Sequence, residues 1–199
     1  ALTTGIDNIG IGTSSADALT TGICNVAIGA NALGATTTGC LNVAIGNLAM
    51  GSCIVTGITN VGIGPSALGA VTSGISNVGI GGWAGDILTT GKCNVAIGHD
   101  AMGASTTGCL NIAIGNIALG AAITTGINNI ALGTTSMDAL TSGANNVAIG
   151  LNAYGTAATG STNIAIGNAA MGNSLVTGIN NIAMGEDTMD ALTTGICNV

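Results

Sequence analysis

Six cysteines are the residues best able to form covalent bonds, and their placement is regular. Cys24 and Cys40 are sixteen residues apart, Cys93 and Cys109 repeat that spacing, and Cys197 occupies the same repeat position as Cys24 and Cys93. In a coil with a turn of about seventeen residues, each pair lies on adjacent turns with Cα atoms about 6 Å apart, which a disulfide can span. The alternatives are two disulfides, Cys24–Cys40 and Cys93–Cys109, or small buried thiols.

The remaining reactive residues do not form a catalytic or metal site. Cys53 has no cysteine neighbour in this arrangement, and the spacings do not match the C-x-x-C motifs of zinc or redox proteins. His99 is the single histidine, and Asp100 follows it, whereas catalytic triads and zinc centres need more partners. The glycines form no phosphate-binding motif. We therefore expect no enzymatic activity, no cofactor and no metal.

His99 and Asp100 belong to a variable corner of the sequence repeat, where another copy carries Trp83. Around a trimer axis three His99 side chains would meet and bind an ion, whereas the simpler interpretation is a solvated loop. We expect Tyr154 near the same corner. Rigid scaffolds often bind ligands through irregular loops, so Trp83, His99, Asp100 and Tyr154 are the candidate ligand-facing residues.

Threonine pairs recur at one position of the repeat and predict a threonine ladder along one edge. They are Thr3-Thr4, Thr20-Thr21, Thr37-Thr38, Thr89-Thr90, Thr106-Thr107, Thr124-Thr125 and Thr193-Thr194. Threonine suits strand ends and turns, which is the simplest explanation. The alternatives are O-linked glycans on Thr and Ser, or an ice-binding surface interrupted at Val55, Ala158 and Val176.

The composition excludes several classes of protein. Apolar residues make up 47% and charged residues only 5%, so the chain does not have the profile of a disordered protein. The chain has one lysine, no arginine and a net charge of −7. These values argue against nucleic-acid binding, which needs clustered Lys and Arg side chains. Gly, Asn or Thr interrupts every apolar run, so no membrane-spanning segment is predicted.

An asparagine follows a glycine by three residues in each of twelve repeats of 17 or 18 residues. The unit reads T-G-x-x-N-[VI]-[AG]-I-G, followed by a second apolar position and a connector. We expect the asparagines to stack as a hydrogen-bonded ladder. They are Asn8, Asn25, Asn42, Asn60, Asn77, Asn94, Asn111, Asn129, Asn146, Asn163, Asn181 and Asn198.

A longer period is superimposed on the repeat. Residues 88–139 and 140–191 match as blocks of 52 residues and three turns, and 19–87 is a four-turn variant. We interpret residues 1–199 as one continuous repeat domain and as a fragment of a longer chain.

The short alternating segments predict an all-β fold, a parallel β-solenoid (a β-roll or β-helix) of about twelve turns. Alternation is expected to direct Val26 and Ile28 inward and Ala27 outward. Leu33 and its counterparts supply a second apolar row, which predicts a second strand in each turn. An outward surface of Ala and Gly with few charges would need cover, so we expect a trimer or filament.

The N-[VI]-A-I-G signature, as in residues 42–46 and 163–167, resembles the YadA-like head repeats of trimeric autotransporter adhesins and related phage tail-fibre repeats. The resemblance covers the whole chain. It implies a left-handed parallel β-roll, assembled as a trimer, exposed on a cell-surface appendage or virion and used for attachment to a cell-surface or glycan receptor.

Together these features predict a non-enzymatic structural or adhesive segment of an extracellular fibre. An ice-binding solenoid is the main alternative. A hexapeptide-type left-handed β-helix acyltransferase is the second alternative, favoured by 18-residue turns but lacking the catalytic His and the spacing in sixes.

Overall fold

A computed structural model describes residues 4–199, and within them the chain forms one parallel β-sheet of eleven short strands. The strands are β1 Ile9–Ile11, β2 Val26–Ile28, β3 Val43–Ile45, β4 Val61–Ile63, β5 Val78–Ile80, β6 Val95–Ile97, β7 Ile112–Ile114, β8 Ile130–Leu132, β9 Val147–Ile149, β10 Ile164–Ile166 and β11 Ile182–Met184. Their order in the sheet is their order in the chain. The fold is therefore the predicted all-β parallel solenoid, with ten complete turns between β1 and β11.

Every strand is in register with its neighbours. Val26 pairs with Val43, and Ile45 pairs with Ile63 across one of the 18-residue turns. The extra residue of these longer turns is absorbed outside the strand, as the sequence predicted. Consecutive turns therefore place the same repeat position in one continuous column along the rod.

The two faces of the strands are the reverse of those predicted. Ala27 and Asn25 are fully buried, whereas Val26 and Ile28 are partly exposed. The reason is the narrowness of the core: a methyl group built on Gly62 would lie 3.0 Å from the carbonyl oxygen of Ala67, on the opposite wall of the same turn. Only Ala or Gly fits at the middle of the strand, so the larger Val and Ile side chains point outward.

The second apolar row is buried, but the prediction of a second strand is wrong for the described residues. The row contains Leu33, Met50, Leu68, Met102, Leu119, Met137, Tyr154 and Met171. Leu33 has a φ of 50°, and Asn31 has a φ of 56°, so left-handed residues alternate with others in this segment. Such a backbone curls into a turn and cannot continue as a strand.

A third inward column completes the core. It carries Leu19, Thr36, Val55, Val71, Leu88, Ser105, Thr124, Leu140, Ala157 and Val176. The interior is thus a stack of thin layers, each made of a few small or unbranched side chains. No helix within residues 4–199 is long and apolar enough to cross a membrane.

Candidate functional site

The asparagines form a continuous hydrogen-bonded ladder through the core. The backbone N–H of Asn25 donates to Oδ1 of Asn8 at 2.9 Å, and that of Asn42 donates to Oδ1 of Asn25 at 3.0 Å. The side-chain amide of Asn25 donates to the carbonyl oxygen of Gly39 at 2.7 Å, one turn further along. A buried amide with all of its groups paired stabilises the fold, whereas an unpaired one would destabilise it.

The ladder continues to the far end of the rod, where Asn198 donates to Oδ1 of Asn181. Each asparagine therefore fixes the height of the next turn through both its backbone and its side chain. The twelve predicted positions act as a structural spine, and no ligand is needed to satisfy them.

The outward columns of the sheet form an apolar surface that we call the strand face. It comprises the outward Val, Ile, Leu and Met residues of β1–β11, together with the column two residues before each ladder asparagine, for example Ile58, Ile127 and Ile179. Lys92 is the single charged residue in these columns, and one of the eight acids, Asp7, lies in the column between them. The predicted uncovered outer surface exists, but it is built from Val and Ile rather than from Ala and Gly.

A set of protruding side chains was missed by the sequence analysis. The inserted residues of the 18-residue turns are Ile54, Ile123 and Leu175, which are 56%, 60% and 57% exposed. Turn length was the available signal, because an added residue next to a fixed core column must project outward.

Trp83 and His99 meet at one corner of the rod. Their ring centroids are 5.1 Å apart and their planes are inclined by 69°, an edge-to-face contact. Trp83 is 46% exposed, and Asp100 follows it in the same column, one turn along. We call Pro65, Gly82, Trp83, His99 and Asp100 the Trp83 corner.

Tyr154 does not belong to this corner, and its prediction as a ligand-facing residue is wrong. It is buried in the column of Leu33, where the adjacent core position carries the small Ala157. Its hydroxyl accepts a hydrogen bond from the side-chain amide of Asn163 at 2.6 Å. Burial raises the pKa of Tyr154 to about 12, against the smaller opposing effect of that hydrogen bond.

All six cysteines are free thiols, so neither Cys24–Cys40 nor Cys93–Cys109 is a disulfide in the structure. Register explains this, because Cys40 pairs with Ile58 and the thiol of Cys109 accepts a hydrogen bond from the N–H of Lys92. The partners of each proposed pair therefore belong to different columns. Cys24, Cys93 and Cys197 are exposed, so the interpretation as small buried thiols is also wrong for these three.

The threonine pairs divide into two rows with different roles. In the first row, the hydroxyl of Thr20 donates to the carbonyl oxygen of Thr37 at 3.0 Å, and that of Thr89 donates to the carbonyl oxygen of Thr106 at 3.1 Å. The second row, for example Thr21 and Thr38, is exposed. Thr20 and Thr89 thus brace adjacent turns. Thr3 lies outside the described residues.

The described part of the chain contains no group of three or more His, Cys, Asp or Glu residues placed to hold a metal ion, and it encloses no pocket. The fold defines the chain as a tandem-repeat parallel β-solenoid. No family model, no curated protein and no solved structure matches the chain.

Proposed function

We propose that this chain is a rigid, non-enzymatic segment of an extracellular fibre, whose role is to hold attached parts apart and in fixed orientation. The observation that carries the proposal is the unbroken asparagine ladder from Asn8 to Asn198, which locks every turn to the next. Eleven stacking steps of about 4.8 Å give a rod about 53 Å long. A solenoid of this kind supplies length and stiffness, with each turn contacting only its neighbours.

Self-association through the strand face completes the proposal. This surface measures about 50 Å by 17 Å, or about 800 Å², which is the area one partner contributes to a standard protein interface. Seven of the eight acids lie off the face, and Asp7 lies within it on the first described turn, so copies of this chain would bring only this one carboxylate into the contact. The left-handed coil and the trimer implied by the resemblance stay predictions.

Solution mass tests this proposal, with electron microscopy of stained particles to show whether rods form. Ile114 lies on the strand face, and Ile123 projects from a bulged turn outside it. We expect the unmodified chain to form a defined oligomer or filament, Ile114→Lys to dissociate it, and Ile123→Lys to leave it intact. Circular dichroism verifies that both variants keep the β-solenoid.

A stable monomer at high concentration would contradict the proposal. The exposed second threonine row favours ice binding as the other candidate function, since it forms a regular array of hydroxyls at the turn spacing. A monomer that produces thermal hysteresis, lost when Thr21 and Thr38 are replaced by Val, would establish ice binding in place of the fibre role.

A further inference from the structure

The Trp83 corner has the geometry of a small binding platform. Ser66, Trp83 and Asp100 follow one another in one column, with φ values of 54°, 56° and 58°. Because the backbone is repeated, the Cα–Cβ bonds of the three residues leave it in parallel directions. The indole therefore arises between Ser66, one turn before it, and Asp100, one turn after it, and the Asp100 carboxylate lies against Gly103.

Hydrogen bonds between turns fix the platform. The backbone N–H of Trp83 donates to the carbonyl oxygen of Pro65, and that of Asp100 donates to the carbonyl oxygen of Gly82, both at 2.9 Å. A methyl group built on Gly82 would touch Cγ of Pro65 at 3.5 Å and Cδ2 of His99 at 3.7 Å. Two rings thus converge over Gly82, while the contact with His99 orients the indole.

We propose that the Trp83 corner binds the apolar face of a neutral pyranose sugar. The half-exposed indole offers a flat apolar surface for the C–H groups of the sugar ring. Asp100 and Ser66 accept hydrogen bonds from hydroxyls on the rim of that ring. The Trp83 corner lies within one chain, so binding there does not depend on whether the rods assemble.

The chemistry of the corner disfavours other ligands. Burial raises the pKa of the Asp86 carboxyl, and the negative charge of nearby Asp100 raises it further. This local negative charge repels phosphates and acidic sugars. A cage for a cation surrounds it with several aromatic faces or carboxylates, whereas this corner presents a single indole face on an open surface.

Trp83 is the single tryptophan of the chain, so its fluorescence reports on this corner alone. The experiment titrates the protein with glucose, galactose, mannose and N-acetylglucosamine to about 0.2 M, because small ligands bind open surfaces weakly. Sorbitol, which has the hydroxyls without the ring face, is the control ligand. We expect a saturable change with at least one pyranose and none with sorbitol.

Variants then locate the site. Asp100→Asn should weaken the binding by about fivefold, the difference between a hydrogen bond to a charged acceptor and one to a neutral acceptor. Asp187→Asn is the matched control, because Asp187 occupies the same column with a φ of 53° but follows Ala169 instead of a tryptophan. Trp83→Ala should abolish the heat of binding in calorimetry while the circular dichroism spectrum stays unchanged.

Three results would overturn the proposal. One is the absence of a saturable change with every pyranose, and the second is an equal response to sorbitol. The third is a response to tetramethylammonium at lower concentration than to any sugar, which would show a cation site.

Discussion

The phenolic oxygen of Tyr154 lies 2.6 Å from the side-chain nitrogen of Asn163 and accepts its hydrogen bond inside the core. One residue of the apolar row thereby contacts the asparagine ladder directly. Its burial predicts a distinct alkaline sensitivity, because a buried phenolate has lost its hydration.

Stability should fall between pH 10 and pH 12, since burial raises the pKa of Tyr154 from 10.0 to about 12. Below pH 10 the phenol is neutral in both states, and its contribution is fully present. Above pH 10 the phenol of the unfolded state loses its proton first. The free energy of unfolding therefore falls by about 3 kcal/mol as the pH rises through the folded-state pKa. Urea unfolding at stepped pH measures this, and Tyr154→Phe should remove the decline within this window. An unchanged decline in that variant would refute the assignment.

Removing one rung of the asparagine ladder should destabilise the rod. In the unmodified protein the side chain of Asn94 donates to the carbonyl oxygen of Gly108 at 2.7 Å and accepts from the backbone N–H of Asn111 at 3.0 Å. Asn94→Ala leaves both of these groups without a partner. We expect a loss of about 2 to 4 kcal/mol in the free energy of unfolding. The same substitution at Asn116, an exposed turn residue, should cost less than about 0.5 kcal/mol. Equal losses would show that the ladder contributes no more than a surface amide.

Thr36→Val should stabilise the protein. The hydroxyl of Thr36 is buried without a hydrogen-bond partner, as is that of Ser105, and the next turn already carries Val55 in this column. Replacing the hydroxyl with a methyl group removes the unpaired oxygen and should raise the free energy of unfolding by about 1 kcal/mol. Thr89→Val is the control, because it breaks the 3.1 Å hydrogen bond to Thr106 and should destabilise the protein. A destabilised Thr36→Val would indicate that this hydroxyl has a partner.

Reduction should leave the melting temperature unchanged, because the six cysteines are free. Alkylation of the native protein followed by mass spectrometry should modify Cys24, Cys93 and Cys197 faster than Cys40, Cys53 and Cys109, since only the first three are exposed. Alkylation after unfolding should add six groups without prior reduction. Fewer than six would reveal a disulfide.

The sequence predicted the period and the register because both depend on invariant positions. Every turn repeats the glycine and asparagine, and the ladder bonds set the stacking. Alternation alone could not show which face of Val26–Ile28 points inward, and hydrophobicity favoured the wrong one. Asn25 is accepted in the core because its amide is fully paired by the adjacent turns, an interaction that appears only when the turns are stacked.

The predicted side chains could be placed only from their column in the repeat, because residue type alone was misleading. Trp83 and His99 lie on adjacent turns one column apart, and their rings are long enough to meet. Tyr154 was assigned to the surface as an aromatic residue in a variable segment, although its position in the repeat is that of Leu33, which is buried. The disulfide prediction allowed for the column shift of one residue in the Cα separation, but it did not account for the directions of side chains in adjacent columns, which keep Cys24 and Cys40 apart.

Because similar turns stack in register, the length of the rod changes by whole turns when repeats are gained or lost. A duplication of one 52-residue block adds three turns and moves the tip of the rod by about 14 Å, with no new contact type to evolve. Selection can therefore adjust the length of such a rod through the number of repeats alone.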